Sequence, residues 1–421
     1  MQVFKFGGAA LKDASNIQNV GQIIQAHQAS IRFIVISALG KTTNALEVII
    51  NKYVNQDNSY QEAIDNLFQE HIHIIEGLFS VKNQAFILPK ILQFQKEIHS
   101  FFNLNKEANY TFIYDQIVPY GELLSSSIVS AYLDSIGISN KWIDARDMIA
   151  TDNNYTEAKV DFTKSEPLIH QFMDASTINI TQGFIARNEN GYSTTLGREG
   201  SDYTAAVISY CINASKMLIW KDVPAVLNAD PRLFNDTIAI PELSYREAIE
   251  MTFYGAQVIH PKTIKPLQNK NIPLLVKSFI DKNAIGTTIG GSKINEHIEY
   301  PPIIVYKTDQ VLLSISVKDF SFIAEENLSH IFRIFSTNGL RIHMTHSGAI
   351  SFSACVENKP ERIKSLLKDL AHNYDVKYNE SLELLTIRHY TAEKIEALTL
   401  NKNILLTHKT RTTIQLLMRS E

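Results

Sequence analysis

Residues 194–206 read TTLGREGSDYTAA. A turn uses one or two special residues. This stretch supplies two flexible glycines, a fixed cation, a hydroxyl and a carboxylate at a single helix entrance. Arg198 offers a planar fork suited to a carboxylate. Ser201 and Asp202 can cap the helix and also face a ligand, and capping alone does not use so many groups. KFGG at 5–8 places Lys5 on a strand just before Gly7 and Gly8. Their backbone can approach an anion closely, and free N–H groups with the helix dipole favour phosphate. The stretch is neither G-x-x-x-x-G-K-[ST] nor G-x-G-x-x-G, and a Gly-Gly after a strand also reads as a tight turn. SALGKTTN at 37–44 repeats the pattern. Thr43 or Asn44 there is a helix cap, or part of a second loop at the carboxyl edge of parallel strands, and the two roles are compatible.

Two further stretches carry charge to strand or helix ends. YGELLSS at 120–126 sets Glu122 in the first turn of an apolar helix. A carboxylate there serves the helix dipole or binds a substrate ammonium. IWKDVPAVLNADPR at 219–232 puts Asp222 at a strand end, within reach of a nucleotide or a metal-bound water. Arg232 could meet a phosphate, while Asp230-Pro231 also reads as a structural turn. No HExxH spacing occurs, and His71, His73, His343 and His346 read as surface or core residues.

The elements that must position these groups alternate. Strands are expected at Val3–Phe6, Arg32–Ser37, Ile178–Ile185, Met217–Trp220 and Pro273–Ser278, with helices at Ala14–Gln28, Gly121–Ser135, Asp202–Tyr210 and Ser244–Met251. That alternation predicts a mostly parallel sheet covered on both faces. A helical pattern runs over Tyr60–Phe102, and Glu62–Asn105, helical in period and poor in glycine, reads as an inserted helical subdomain. Residues 281–303 bring glycines, a Pro-Pro pair and little periodicity, which marks a boundary. Beyond it the pattern is β-α-β-β-α, then a strand, a short helix and two closing strands.

At 421 residues the chain is too long for one core, and at ~150 residues per domain it suggests two or three. Apolar content of 45% with 20% charged residues is that of an ordinary soluble protein. A net charge of −4 gives no electrostatic case for nucleic acid or an anionic membrane. Two cysteines, Cys211 and Cys355, lie far apart without ligand-type neighbours, which excludes a disulfide scaffold and fits a reducing compartment. MQVFKFGG starts directly as a strand rather than a signal peptide, and no apolar run reaches the ~18 residues of a membrane helix. A cytoplasmic location is expected.

Together, KFGG, SALGKTTN, GELLSS, TQGFIAR…TTLGREGSD, WKDV…ADPR and YGAQVIHPKT stand in the order and spacing of the aspartate kinases. The chain resembles that family, within the amino acid kinase superfamily, over nearly its whole length. The resemblance implies an α/β amino acid kinase fold, a three-layer sandwich around a mostly parallel sheet, at residues 1–290 with a helical insert near 60–105. It implies ACT-type α+β units at 305–380 and, abbreviated or interleaved, at 381–421. The implied activity is ATP- and Mg²⁺-dependent phosphorylation of the L-aspartate β-carboxylate to 4-phospho-L-aspartate, the entry to lysine, threonine and methionine synthesis. The implied assembly is a homodimer or a dimer of dimers, with lysine or threonine as effector. The competing expectation is a kinase-fold amino-acid sensor with weak or no activity.

By position, Lys5 and Asp202 match catalytic residues. Ser37, Thr43, Glu122, Arg198, Glu199, Gly200 and Ser201 match the aspartate side. Lys5, Gly7, Gly8, Lys221, Asp222, Leu227, Arg232, Gln257 and Val258 match the nucleotide side. The expected effector lining is Asp319, Phe322, Ala324, Thr345 and Ser347. No dedicated metal ligands are expected, Mg²⁺ riding on the ATP phosphates. The sequence departs from the family at Gln257 (a lysine elsewhere, with Lys262 or Lys221 expected to compensate in part), at Leu227 (often tyrosine) and at Ala9-Ala10 (often hydroxyl residues). Glu199 stands where glycine is frequent and need only point to solvent.

Overall fold

QVFKF and IRFIVI are near-continuous apolar runs, which suit strands buried on both faces. They form the centre of an eight-stranded sheet in a computed structural model that describes residues 1–256, 259–290, 298–319 and 321–420. The strand order is Asn140–Trp142, Ile178–Gln182, Ile31–Ile36, Gln2–Phe6, Lys216–Lys221, Leu274–Ser278, Thr287–Ile289 and Glu242–Leu243. From the first of these through Leu274–Ser278 every pairing is parallel, and the direction reverses at Thr287–Ile289. Ile178–Ile185, expected as one strand, is two, Ile178–Gln182 and Ile185–Asn188. Gly183 and Phe184, the latter at φ 70°, break it. Ile185–Asn188 leaves the main sheet to join Ala150–Thr151 and Ser193–Thr195 in a small sheet.

This fold belongs to the first of two compact units, Met1–Val226 with Ala239–Ile249 and Gln257–Ile298. The helical insert resolves into Tyr60–Leu78 and Val81–Leu104, followed by Tyr110–Ile117. It does not stand apart as a subdomain. Ile64, Phe68, Ile91 and Phe94 of the insert share one apolar core with Phe6, Ile34 and Ile36 of the sheet. Burying each such side chain contributes roughly 1.5–3 kcal/mol, so the insert is fixed to the sheet it flanks.

The second unit comprises Leu227–Ile238, Glu250–Ala256 and Glu299–Glu421. Its antiparallel sheet runs Ile342–Ser347, Ser351–Glu357, Ile303–Val317, Tyr374–Arg388, Thr413–Ser420 and Lys402–Lys409. Helices Glu325–Thr337 and Pro360–Leu370 cover one face, with Ile331, Phe335, Ile363 and Leu366 packed on Val311, Leu313 and Ile315. This is the ACT-type arrangement. The two long strands serve both halves of the sheet. Ile303–Lys307 pairs with Leu384–Arg388, while Leu312–Val317 pairs with Tyr374–Asn379. Asp309 and Ser381, both at positive φ, lie where the register between the two strands shifts. The last 40 residues thus borrow a strand from upstream.

Candidate active site

The site is assembled where parallel strands end. Gln2–Phe6 lies between Ile31–Ile36 and Lys216–Lys221, both parallel to it, so three carboxyl ends open on one edge. The loops there are stitched together by backbone hydrogen bonds. Ser37 donates to Phe6 O at 3.2 Å, Gly40 to Gly8 O at 3.2 Å and Gly183 to Ile36 O at 2.9 Å. Two glycines are required by these close approaches. A Cβ on Gly8 would stand 2.9 Å from Ala38 O, and one on Gly183 would stand 2.4 Å from Ser201 Cβ. Gly183 therefore lets the first turn of helix Gly200–Cys211 rest against the sheet edge, with its N–H end facing the gap.

A cavity of about 530 Å³ occupies this gap. Of the residues singled out in the sequence, Lys5, Gly8, Ser37, Thr43, Glu122, Arg198, Glu199, Gly200, Ser201 and Asp202 line it. Lys5 and Asp202 are both buried, with Nζ 2.6 Å from Oδ1. They meet as an ion pair without hydrogen-bond alignment. Glu122 is only 3% exposed. The Ala38 N–H reaches its Oε1 at 3.4 Å, and Oε2 has no hydrogen-bond partner among the described residues. Burial pushes its carboxyl up to about 8, against the Ala38 N–H, its own backbone N–H and the Lys5 charge, which all pull it down. Arg198 is exposed at the rim, and no ion pair or hydrogen bond engages its guanidinium among the described residues. The cavity thus offers a buried carboxylate short of a donor, an uncommitted guanidinium, and an ammonium beside a helix N-terminus.

Other expected residues fall elsewhere. Gly7 does not line the cavity, though a Cβ there would stand 3.5 Å from Lys5 Nζ. Lys221 ends the strand beside Lys5 and Asp222 follows it, exposed, on the same edge but outside the lining. Leu227 and Arg232 belong to the second unit. Arg232 forks onto Asp230, with Nη2 2.6 Å from Oδ2, because the turn places the two side by side. Gln257 and Val258 lie outside the described residues. Lys262 is held in place, its Nζ donating to Leu196 O at 3.0 Å, a neutral acceptor that leaves its charge unpaired by that bond.

One reading is corrected. Glu199 does not point to solvent. Its Oε2 accepts the His260 N–H at 2.8 Å, and its backbone is left-handed at φ 53°. In the second unit Asp319, Phe322, Ala324, Thr345 and Ser347 are all exposed, and their two loops are tied by Ile323 N–H donating to Ala349 O at 2.9 Å.

Several cavity residues carried no sequence motif, namely Tyr114, Thr156 and Glu157, while Phe184 stood within TQGFIAR without a role assigned to it. Behind them stands Asp115, fully buried. It accepts the Thr156 N–H at 3.0 Å, the Thr195 N–H at 2.9 Å and the Thr195 hydroxyl at 2.7 Å. Burial holds its carboxyl up at about 6 even with these donors. The legible signal was a lone carboxylate inside an apolar helix, FIYDQI. Tyr114 OH donates to Glu47 at 3.1 Å, bracing the wall on the helix that carries Thr43. His71 is a core residue, its ring 3.4 Å from the Thr42 hydroxyl, and burial lowers its basicity.

Fold and site together offer charged groups suited to anionic and ammonium-bearing ligands, and comparison with known proteins gives the family. The model of the amino acid kinase family matches residues 1–278, and the chain belongs to that family. Its relatives include the chloroplastic bifunctional aspartokinase/homoserine dehydrogenase 1 of Zea mays, 28% identical over 88% of this chain and 41% of the relative. Aspartokinase 1 of Arabidopsis thaliana, also chloroplastic, is 29% identical over 84% of this chain and 63% of the relative. The chain therefore spans less than two thirds of the length of these relatives. Among solved structures, E. coli aspartokinase III in complex with aspartate and ADP (R-state) superposes with a TM-score of 0.83 at 25% identity, covering 99% of this chain and 96% of that one. The same enzyme with lysine and aspartate (T-state) gives 0.82, again at 25% identity, covering 99% and 95%. No helix among the described residues is long and apolar enough to cross a membrane.

Proposed function

We propose that this chain transfers the γ-phosphoryl group of ATP to the β-carboxylate of L-aspartate, giving 4-phospho-L-aspartate and ADP. The observation that carries the reading is Glu122, a buried carboxylate with one oxygen unpartnered, in the same cavity as the uncommitted Arg198 and the Lys5–Asp202 pair. An aspartate α-ammonium supplies the donor that Glu122 lacks, and a substrate carboxylate suits the Arg198 fork. The β-carboxylate is already ionised, so one of its oxygens attacks phosphorus as the bond to the bridging oxygen of ADP breaks. No proton has to move. Catalysis is then alignment and charge neutralisation, to which Lys5, the Gly7-Gly8 backbone and the helix start at Gly200 contribute.

Lys221 and Asp222 are the nucleotide-side candidates of this unit. Mg²⁺ would enter on the phosphate oxygens and neutralise charge there. Among the described residues no three His, Cys, Asp or Glu are grouped so as to hold a metal ion. Support for acceptor and nucleotide comes from the aspartate and ADP bound by E. coli aspartokinase III. Lysine, bound by that enzyme in its T-state, is the proposed effector here, at Asp319, Phe322 and Ala324 and at Thr345 and Ser347 of the strand Ile342–Ser347. Pairing between copies of the chain through the sheet-edge strand Ile342–Ser347 would give the homodimer. The test is to trap acyl phosphate as hydroxamate with MgATP and aspartate or glutamate. Aspartate-dependent signal is expected. Signal with glutamate alone, or with neither, would overturn the assignment.

A further inference from the structure

We infer that Glu199 is a positioning residue that fixes the Arg198 loop by holding the backbone of His260, and not a ligand of the substrate; this rests on the reading of the cavity as an aspartate site. Glu199 is the residue before helix Gly200–Cys211, and its backbone adopts φ 53°. A non-glycine residue in that region is strained, at about 1–3 kcal/mol, and persists only when its surroundings demand it. The surroundings here are a specific bond. Oε2 accepts the His260 N–H at 2.8 Å across 61 residues of chain. His260 is in turn fixed, because it caps helix Pro261–Asn269, with Nδ1 accepting the Lys262 N–H at 3.2 Å. Lys262 completes the loop by donating from Nζ to Leu196 O at 3.0 Å. Two bonds in opposite directions, one on either side of Arg198, therefore staple residues 196–199 to the start of a second helix.

The consequence concerns Arg198. Its guanidinium is exposed and unengaged, so nothing at the tip of the side chain sets its position. Only the backbone that carries it can. A binding arginine whose position is set in advance loses less freedom when the substrate arrives. Glu199 also lines the cavity, where an uncommitted carboxylate would repel an incoming dicarboxylate. Holding an N–H offsets that repulsion.

The test uses the full chain with Glu199→Gln, Glu199→Ala and Glu199→Gly. Glutamine keeps an oxygen that can accept from His260, so E199Q should retain the KM for aspartate to within about twofold, while E199A raises it roughly tenfold, the change one hydrogen bond supports. E199G removes the left-handed strain as well as the staple. It should keep the melting temperature yet share the raised KM, an outcome a purely structural role does not produce. Amide exchange of His260 should quicken in E199A and E199G but not in E199Q, and this readout does not depend on any activity. Equal KM values in all three variants would overturn the proposal. So would an E199Q defect as large as that of E199A with His260 exchange unchanged, since the carboxylate itself would then be the ligand. If exchange follows the staple but no acceptor is phosphorylated by any form, the aspartate reading fails and the staple stands.

Discussion

The cavity of the first unit and the tied loops of the second use charge in opposite ways. Around the cavity, charged groups are taken out of water and left with something to gain. Glu122 is buried with a free oxygen, and Lys5 and Asp202 are buried against each other. In the second unit, Asp319, Thr345 and Ser347 are exposed, and Asp319 is satisfied by its neighbour, the Ser321 N–H and hydroxyl holding its carboxyl below the ordinary range. Desolvated groups can bind a ligand strongly because water no longer competes. Exposed loops need a further surface to exclude water before they can do the same. The difference teaches that the first unit carries its site within one fold. The second presents its candidate effector residues on an open surface.

The comparison can be broken at several points. Lys5→Met should have the largest effect, leaving Asp202 without its counter-charge and costing about 10²–10³-fold in kcat by steady-state assay. Arg198→Ala should come next. Losing one charge-assisted contact of about 1.5–3 kcal/mol raises the KM for aspartate by roughly ten- to a hundredfold, with nucleotide binding unchanged by calorimetry. Asp115→Ala should lower stability by about 1–3 kcal/mol in urea unfolding, because the buried Thr195 N–H and hydroxyl lose their acceptor. It should also raise the KM for aspartate, since Thr195 ends the strand that leads into Arg198 and Thr156, the other residue donating to Asp115, lines the cavity.

A smaller and sharper effect concerns protons. In the empty cavity burial keeps Glu122 protonated up to about 8. Its folded value stands above its ordinary one, so its contribution to stability is present at low pH and declines as pH rises through that interval. An aspartate ammonium favours the ionised form, so binding at pH 6.5 should release about one proton. Calorimetry in buffers of different ionisation heat measures that release, and Glu122→Gln should abolish it. Smallest of all, Asp319→Ala should leave kcat as it is and shift only the lysine concentration needed for inhibition. A large loss of unliganded activity would collapse the distinction between the two regions.

Strands, helices and their order were legible in the sequence because apolar periodicity reports local burial. The strand expected at Val3–Phe6 is Gln2–Phe6, and the helix expected at Ala14–Gln28 is Ala14–His27. The break at Gly183–Phe184 was hidden, since both sides of it are apolar and buried. Most cavity residues found in advance lie next to glycine turns, Lys5, Thr43, Arg198 and Asp202 among them, while Glu122 was found from its place in the first turn of a helix. Tyr114, Thr156 and Glu157 were missed because segments distant in sequence meet there, Asp115 holding Thr156 and Thr195 from 41 and 80 residues away.

What the sequence determined by itself was the alternation of strand and helix, and the glycine-flanked charges at the strand ends, because both follow from steric and burial rules acting on neighbours. What only the tertiary structure decided was which of those charges share one space. Asp222 stays outside the cavity, Arg232 turns back on Asp230, and Glu199 is spent on His260. The first and last depend on distances between segments set by packing, which no local pattern encodes, whereas the Arg232–Asp230 fork is made within one turn.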